Sequence, residues 1–374
     1  MIEFLRGIYH RIQLFGRYYQ NLKRHSSFTK GFKRSASSIT QKVVGFDIES
    51  NKFTRHLYNY ISFFILSGYT VYIKKRSSFI GNLTDYSLDL LETSNLLFVD
   101  RLPEGISLKF CSSEKEGFIL LNDNFLSSRK DEDHSLTYPF SMHPMIYKDE
   151  YYKEIEELRL SEKSIRLFFA GAIHPDYEHE NFNKLFKIMD RVTLFQAFVE
   201  HYSSKELFVI ETRADLNQLE KGDYLDKLVM IKSGHTHLVY WDKWLALMAK
   251  SNFFISMPGV KIPLCHNLIE AMSVGVIPVL QYHNFLATPL ENNVNCITFD
   301  SKEELNDKID QIRRMDSSEI KRLRDGVIAY YDHYLKPERF IGAIEEKAED
   351  KRLKNVYLYS ELNTVHRLEQ EIES

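Results

Sequence analysis

The 374-residue chain has little cysteine, little proline and no long apolar run. Its three cysteines, Cys111, Cys265 and Cys296, are odd in number and scattered, so neither a disulfide framework nor a zinc-ligand spacing emerges. That usage suits a reducing compartment. No apolar stretch approaches the roughly 18–20 residues that span a bilayer. Arg6, Arg11 and Arg17 interrupt the N-terminal region where a signal peptide would carry its apolar core. These absences lead to the expectation of a cytoplasmic protein, at most peripheral on the inner face of a membrane. Net charge is nearly absent as well, with 49 Lys+Arg against 52 Asp+Glu leaving −3. Nucleic-acid binding is therefore not expected. Tryptophan is scarce, at two residues, but 26 Phe and 22 Tyr raise the aromatic share to 13%, which suits large cores and ring-lined clefts without naming a ligand.

The basic charge that is present is concentrated. Residues 1–42 hold nine basic side chains (Arg6, Arg11, Arg17, Lys23, Arg24, Lys30, Lys33, Arg34 and Lys42) against one acid, Glu3. Leu5, Ile8, Ile12, Phe15, Tyr19 and Leu22 recur at helical spacing, with Arg6, Arg17 and Arg24 on the opposite face. A basic amphipathic helix over residues 1–25 can lie on an anionic membrane surface. It can equally dock on the protein's own body or form a homodimer seam. Ser26 to Thr40 is Ser-rich and basic and reads as a linker, which sets residues 1–41 apart from the globular chain.

From Lys42 onward two series of strand and helix patterns succeed one another. KVVGFDI (42–48) and segments 69–73, 96–99, 108–111 and 118–121 read as strands, and a helix over 53–67 stops at Gly68. A polar stretch (123–144) and a charged helix (150–160) separate this series from the next, which opens with IRLFFAG at Ile165. A helix over 184–202, strands 207–212 and 227–232, and a helix over 241–250 continue it. Alternation of this kind predicts parallel sheets covered on both faces. The expected fold is α/β with two Rossmann-like domains, 42–149 and 150–335, facing across a cleft, and a C-terminal helical tail over 336–374.

The most informative segment is FFISMPGVKIPLCHNLIEAMSVGVIPVLQY, residues 253–282. It reads as a buried strand, a Pro/Gly loop, a helix beginning near His266 and a second buried strand after Gly275. Pro258 and Gly259 let the backbone turn and a ligand approach closely. Lys261 supplies positive charge, and the N–H groups of His266, Asn267 and Leu268 at the helix start attract an anion such as a diphosphate. Glu270, one turn further in, is placed to accept hydrogen bonds from ribose hydroxyls. The plainer reading is a strand–loop–helix crossover with a solvated glutamate. Two more strand-end loops carry candidates: Gly171 and His174 in FFAGAIHP (168–175), and Lys232 and Gly234 in KSGH (232–235). A general base for hydroxyl deprotonation is sought at Asp47 and Glu49, after the first strand, or at His143 in SMHPM. Asp131-Glu132-Asp133 matches a D-x-D metal pattern, but it lies in a polar run and reads as a solvated charge cluster. No metal and no other cofactor is expected.

The string NLIEAMSVGVIPVL (267–280) resembles the donor-binding segment of GT-B glycosyltransferases, where a helix bearing E-A-M precedes Gly and a strand with P-V. G-V-I-P-V is also similar to the exostosin-like and fucosyltransferase-like branches. The resemblance covers about 30 residues. It implies a nucleotide-sugar donor whose ribose meets Glu270 and whose phosphates meet the preceding helix turn. Many retaining members carry a second Glu eight residues earlier, where this chain has Ile262, which leans toward inversion. Exostosin-like members carry Arg just before the helix, where His266 and Asn267 stand here. The implied activity is metal-independent transfer of a sugar to a glycan or lipid-linked glycan, of the cell-surface polysaccharide or lipopolysaccharide type. A nucleotide-sugar epimerase on the same architecture and a non-catalytic binding or scaffold protein remain as alternatives.

Overall fold

The computed structural model describes residues 2–31, 42–178, 180–219, 221–233 and 238–373. It divides into two compact units, Met1–Tyr138 with Pro337–Ser374, and Pro139–Lys336. The first unit contains β1 (Val43–Asp47), β2 (Thr70–Lys74), β3 (Leu96–Val99), β4 (Leu108–Cys111), β5 (Ile119–Asn122) and β6 (Ser135–Thr137). The second contains β7 (Ile165–Ala172), β8 (Leu207–Ile210), β9 (Tyr224–Ser233), β10 (Ser251–Ile255), β11 (Ile277–Leu280) and β12 (Ile297–Thr298), and β13 (Asn355–Tyr357) belongs again to the first. All strand pairings are parallel. The sheet orders are β3-β2-β1-β4-β5-β13-β6 and β12-β11-β10-β7-β9-β8. Each unit is therefore a Rossmann-like α/β layer structure, as the alternating pattern predicts.

In the first unit α2 (Thr54–Leu66) packs on β2, the helix Pro337–Glu349 packs against α2, and α1 (Ile2–Gly31) packs against the short helices Ser77–Ile80 and Asp85–Glu92. The aromatic richness is spent here. Phe46 stacks on Phe110 at 5.2 Å, and Tyr60 meets Tyr138 at 5.8 Å and Phe340 at 6.2 Å, edge to face. The C-terminal segment is not the wholly helical tail expected from its charge pattern. It supplies β13, which joins β5 to β6 by pairing Val356 with both Leu121 and Leu136. Buried Asp123 anchors the residues beyond β13, holding Asn363 at 2.7 Å and Arg367 at 2.5 Å, and it also pairs with Lys52 at 3.2 Å. The unit boundaries accordingly fall at Tyr138/Pro139 and Lys336/Pro337 rather than after residues 149 and 335.

α1 extends through Gly31, so Ser26–Gly31 is helical where a linker was expected, and the rest of that stretch lies outside the described residues. One face of α1 docks on the first unit. Asn21 Nδ2 donates to Ile80 O (2.7 Å), the His25 ring bonds Leu91 O (2.9 Å), and Arg24 pairs with Glu92 (2.6 Å). Tyr9, Ile12, Phe15 and Tyr19 remain exposed on α1.

In the second unit β10 and β11 are buried along their whole length; Phe253–Ile255 and Ile277–Leu280 are apolar, and buried Ser251 and Asn252 bond Met248 O (2.7 Å) and Ile165 O (3.4 Å). The helix expected over 184–202 is two helices, Glu180–Phe186 and Arg191–His201. Lys187 adopts φ +59°, which ends the first, and Asp190 caps the second by accepting from Thr193 N (2.9 Å). Gly275, at φ +73°, makes the turn from the helix His266–Ser273 into β11, where a Cβ would stand 3.0 Å from Ile328 Cδ1.

Gly81→Ala should loosen α1. Its Cβ would lie 2.6 Å from Leu14 O, an overpacking that costs roughly 1–3 kcal/mol. Amide exchange over residues 11–30 is expected to accelerate while that of the second unit stays unchanged. Equal exchange across α1 in wild type and variant would show that the close approach does not hold the helix.

Candidate functional site

Strand order in the second sheet reverses between β7 and β10, since β8 and β9 lie on one side of β7 while β10, β11 and β12 lie on the other. The carboxyl ends of strands at such a reversal border the crevice where α/β proteins bind ligands. A buried arginine occupies this place. Arg191 Nε donates to Pro258 O (2.8 Å), Nη1 to Ala172 O (3.3 Å), and Nη2 reaches Cys265 Sγ (3.4 Å). Its guanidinium stacks 3.9 Å from the centre of the Tyr177 ring. One side chain thus ties together the end of β7, the loop after β10 and the start of the helix His266–Ser273. Gly171 is small for the same reason, because a Cβ would stand 3.2 Å from Arg191 Nη1. Sequence reasoning missed Arg191 by placing it inside a continuous helix. The Asp190-x-x-Thr193 cap followed by an arginine within an apolar run was the available signal.

The helix His266–Ser273 begins at Cys265 with no side-chain cap, so its opening amides depend on other partners. Leu268 N–H, one of the three amides expected to meet an anion, is taken by Cys265 O (3.2 Å). Asn267 Nδ2 donates to Ala170 O (3.1 Å), while its buried Oδ1 has no hydrogen-bond partner among the described residues. His266 Nδ1 bonds Ser141 O (2.6 Å), which requires the proton on that nitrogen. Lys261 is exposed on the loop, and Pro258 is buried with its carbonyl given to Arg191. Gly259 serves the loop itself: a Cβ there would stand 2.8 Å from both Ile262 O and Leu264 O.

Glu270 is buried, not solvated. Its Oε1 accepts from His143 N (2.8 Å) and its Oε2 from Trp244 Nε1 (2.7 Å). Burial pushes its pKa up, to about 7, against the opposing effect of those two donors. His143, expected in the first domain, belongs to the second unit. Its ring stacks on Trp241 at 4.2 Å, and its Nδ1 accepts from Met145 N (3.3 Å), capping the helix Pro144–Lys148. Glu270, His143 and His266 are therefore one cluster built on the loop 140–143, and the two tryptophans that frame it went unnoticed in the sequence.

The remaining candidates have other partners. His174 caps the turn Pro175–Tyr177 by accepting from Asp176 N (3.3 Å), and Lys232 pairs with Glu211 (3.0 Å) at the end of β9. Gly234 is outside the described residues. Asp131 binds His134 (2.9 Å) in the turn before β6. In the first unit, Asp47 is buried and surrounded by Arg76 (2.6 Å), Lys115 (2.8 Å) and Lys74 (3.3 Å). Burial alone would raise its pKa, but hydrogen bonds from Arg76 and Lys115 hold the carboxyl well below the usual range. Such a carboxylate accepts protons poorly, which argues against Asp47 as a base. Glu49 is half exposed, 3.7 Å from Arg76.

No protein-family model and no curated protein matches the chain. Among solved structures, a glycosyltransferase from Rickettsia africae superposes with TM-score 0.47 at 10% identity, covering 83% of this chain and 98% of that one. HepE from Anabaena in complex with UDP gives 0.44 at 11% identity over 83% and 100% of the two chains. A UDP-N-acetylglucosamine 2-epimerase gives 0.39 at 9% identity over 84% and 99%.

The raised Glu270 pKa has a measurable consequence. The native state holds this proton where the unfolded chain, near 4.5, has lost it, so stability falls as pH rises from about 4.5 through about 7. Relative to Glu270→Gln, the wild type should lose roughly 3 kcal/mol across that window, measured by denaturant titration at several pH values. A pH-independent difference between the two proteins would contradict it.

Proposed function

We propose that the chain is a GT-B type glycosyltransferase that binds a nucleotide-activated sugar on its second unit and transfers the sugar to a glycan or lipid-linked glycan. The observation that carries this reading is the strand-order reversal between β7 and β10, where Arg191 ties three segments together beside the opening turn of the helix His266–Ser273. The opening amides and Lys261 suit the diphosphate, whose charge grows as the sugar leaves. Asn267 Oδ1, buried without a partner, suits a ligand hydroxyl or amide. Glu270 serves the site by fixing the loop 141–143 and Trp244, and it meets a ribose only if one of those donors yields.

In this reading the reaction is inverting and metal-independent, with side chains and helix amides offsetting the leaving-group charge. Its base comes from the acids after β1, where Glu49 is the exposed one.

A lipid-linked acceptor is suggested by α1. Its apolar exposed stripe, Tyr9, Ile12, Phe15 and Tyr19, is accompanied by exposed Arg11, Lys23 and Lys30, while another face docks on the first unit. Such a stripe suits insertion at an anionic lipid interface. Among the described residues no helix is long and apolar enough to cross a membrane.

Two measurements test these proposals. In a thermal-shift panel of UDP, GDP, CMP and their sugars, at least one nucleotide should stabilise the protein, and Asn267→Ala should weaken its binding about tenfold. No shift with any nucleotide would sink the donor assignment. The double variant Phe15→Glu/Tyr19→Glu should fold normally yet sediment far less with anionic vesicles than wild type does. Equal sedimentation would remove the membrane role.

A further inference from the structure

The first sheet has a reversal of its own, distinct from the one in the second unit. Strands β2 and β3 lie on one side of β1, and β4 and β5 on the other, so the order turns between β1 and β4. By the rule that locates the second unit's crevice, the carboxyl ends of β1 and β4 border a binding position. Asp47 ends β1, Lys74 ends β2, Arg76 stands two residues later, and Lys115 comes after β4. Charge and exposure are unevenly divided in this group. The anion is withdrawn, its side chain 2% exposed, while Lys74, Arg76 and Lys115 are 30%, 32% and 44% exposed. Three cations answer one buried carboxylate, and Glu49, 3.7 Å from Arg76, offsets only one of the remaining charges.

A buried carboxylate bonded to three cations fixes their positions before any ligand arrives, which lowers the ordering cost of binding an anion. The Lys115 ammonium also lies 4.3 Å from the centre of the Phe118 ring, which restrains it further. Three donors converging from the ends of two strands, β2 and β4, match the several oxygens of a phosphoryl group better than the two of a carboxylate. We propose that Lys74, Arg76 and Lys115 form an anion site for a phosphoryl or diphosphoryl group, with Asp47 as its positioning residue. That the anion belongs to the acceptor rests on the glycosyltransferase reading; the site itself does not.

Calorimetric titration of the full chain with inorganic pyrophosphate tests the site. Wild type should bind, Lys115→Gln and Arg76→Gln should each weaken binding about tenfold or more, and Lys115→Arg should restore most of it. Lys354→Gln, an exposed change elsewhere in the first unit, should leave the isotherm unaltered. Titrations with a soluble sugar phosphate and with a short polyprenyl diphosphate then distinguish a water-soluble source of the anion from a lipid-linked one. No binding by wild type up to millimolar pyrophosphate, or equal isotherms in wild type, Lys115→Gln and Arg76→Gln, overturns the site. A Lys115-sensitive isotherm in a protein that binds no nucleotide would keep this site and remove the donor assignment.

Discussion

Parallel pairing is the constraint on which the rest of the structure depends. A parallel strand cannot be joined to its neighbour by a tight hairpin, so each pairing needs a crossover that covers a sheet face. The strands become apolar throughout, and polar chemistry is driven to their ends. All carboxyl ends then share one edge of each sheet, and at one point along that edge the strand order reverses. The two units fill this position with opposite charge patterns. In the second, a buried cation, Arg191, gathers two carbonyl oxygens and a sulfur; in the first, a buried anion, Asp47, gathers three cations. Burying either charge without partners would cost several kcal/mol. The partners must therefore be in place whenever the unit is folded, and both positions are organised before any ligand binds.

The same constraint explains the path of the chain. Three-residue β6 lies at the edge of the first sheet and reaches it only through β13, from the C-terminal segment. The strand is secured by neighbours on both sides, since Lys347 reaches Ser135 O (3.1 Å) and Asp123 holds Asn363 and Arg367. The first unit thus needs residues separated by the entire second unit, which makes its folding a long-range closure problem.

The same physics decides how much was legible in the sequence. Long apolar strands, the helix beginning at His266 and the Gly275 turn carry local signals, and the structure has them where periodicity places them. β6 and β13 are three residues long, too short for a period to show, and β13 lies in a charged stretch that imitates a helix. Trp244 carries no local mark of its role and Arg191 only the cap beside it, because their partners lie 26 and 67 residues away. Gly259 was noticed for a ligand's approach, whereas two carbonyls of its own loop demand it.

The two perturbed carboxylates show why acidity and role must be argued separately. Asp47 looked like a base from its place at the end of a strand, but three cations stabilise its anion and leave it little affinity for a proton. Glu270, with a pKa near 7, has the acidity a base would want, yet it is buried and both its oxygens are engaged by N–H donors of the protein. Proton transfer requires reach before it requires a matched pKa. Each shift records what the group holds together: Asp47 its surrounding cations, Glu270 the loop 141–143 and the Trp244 ring. Of the two acids after β1, Asp47 is enclosed by its cations and Glu49 is the one that solvent reaches.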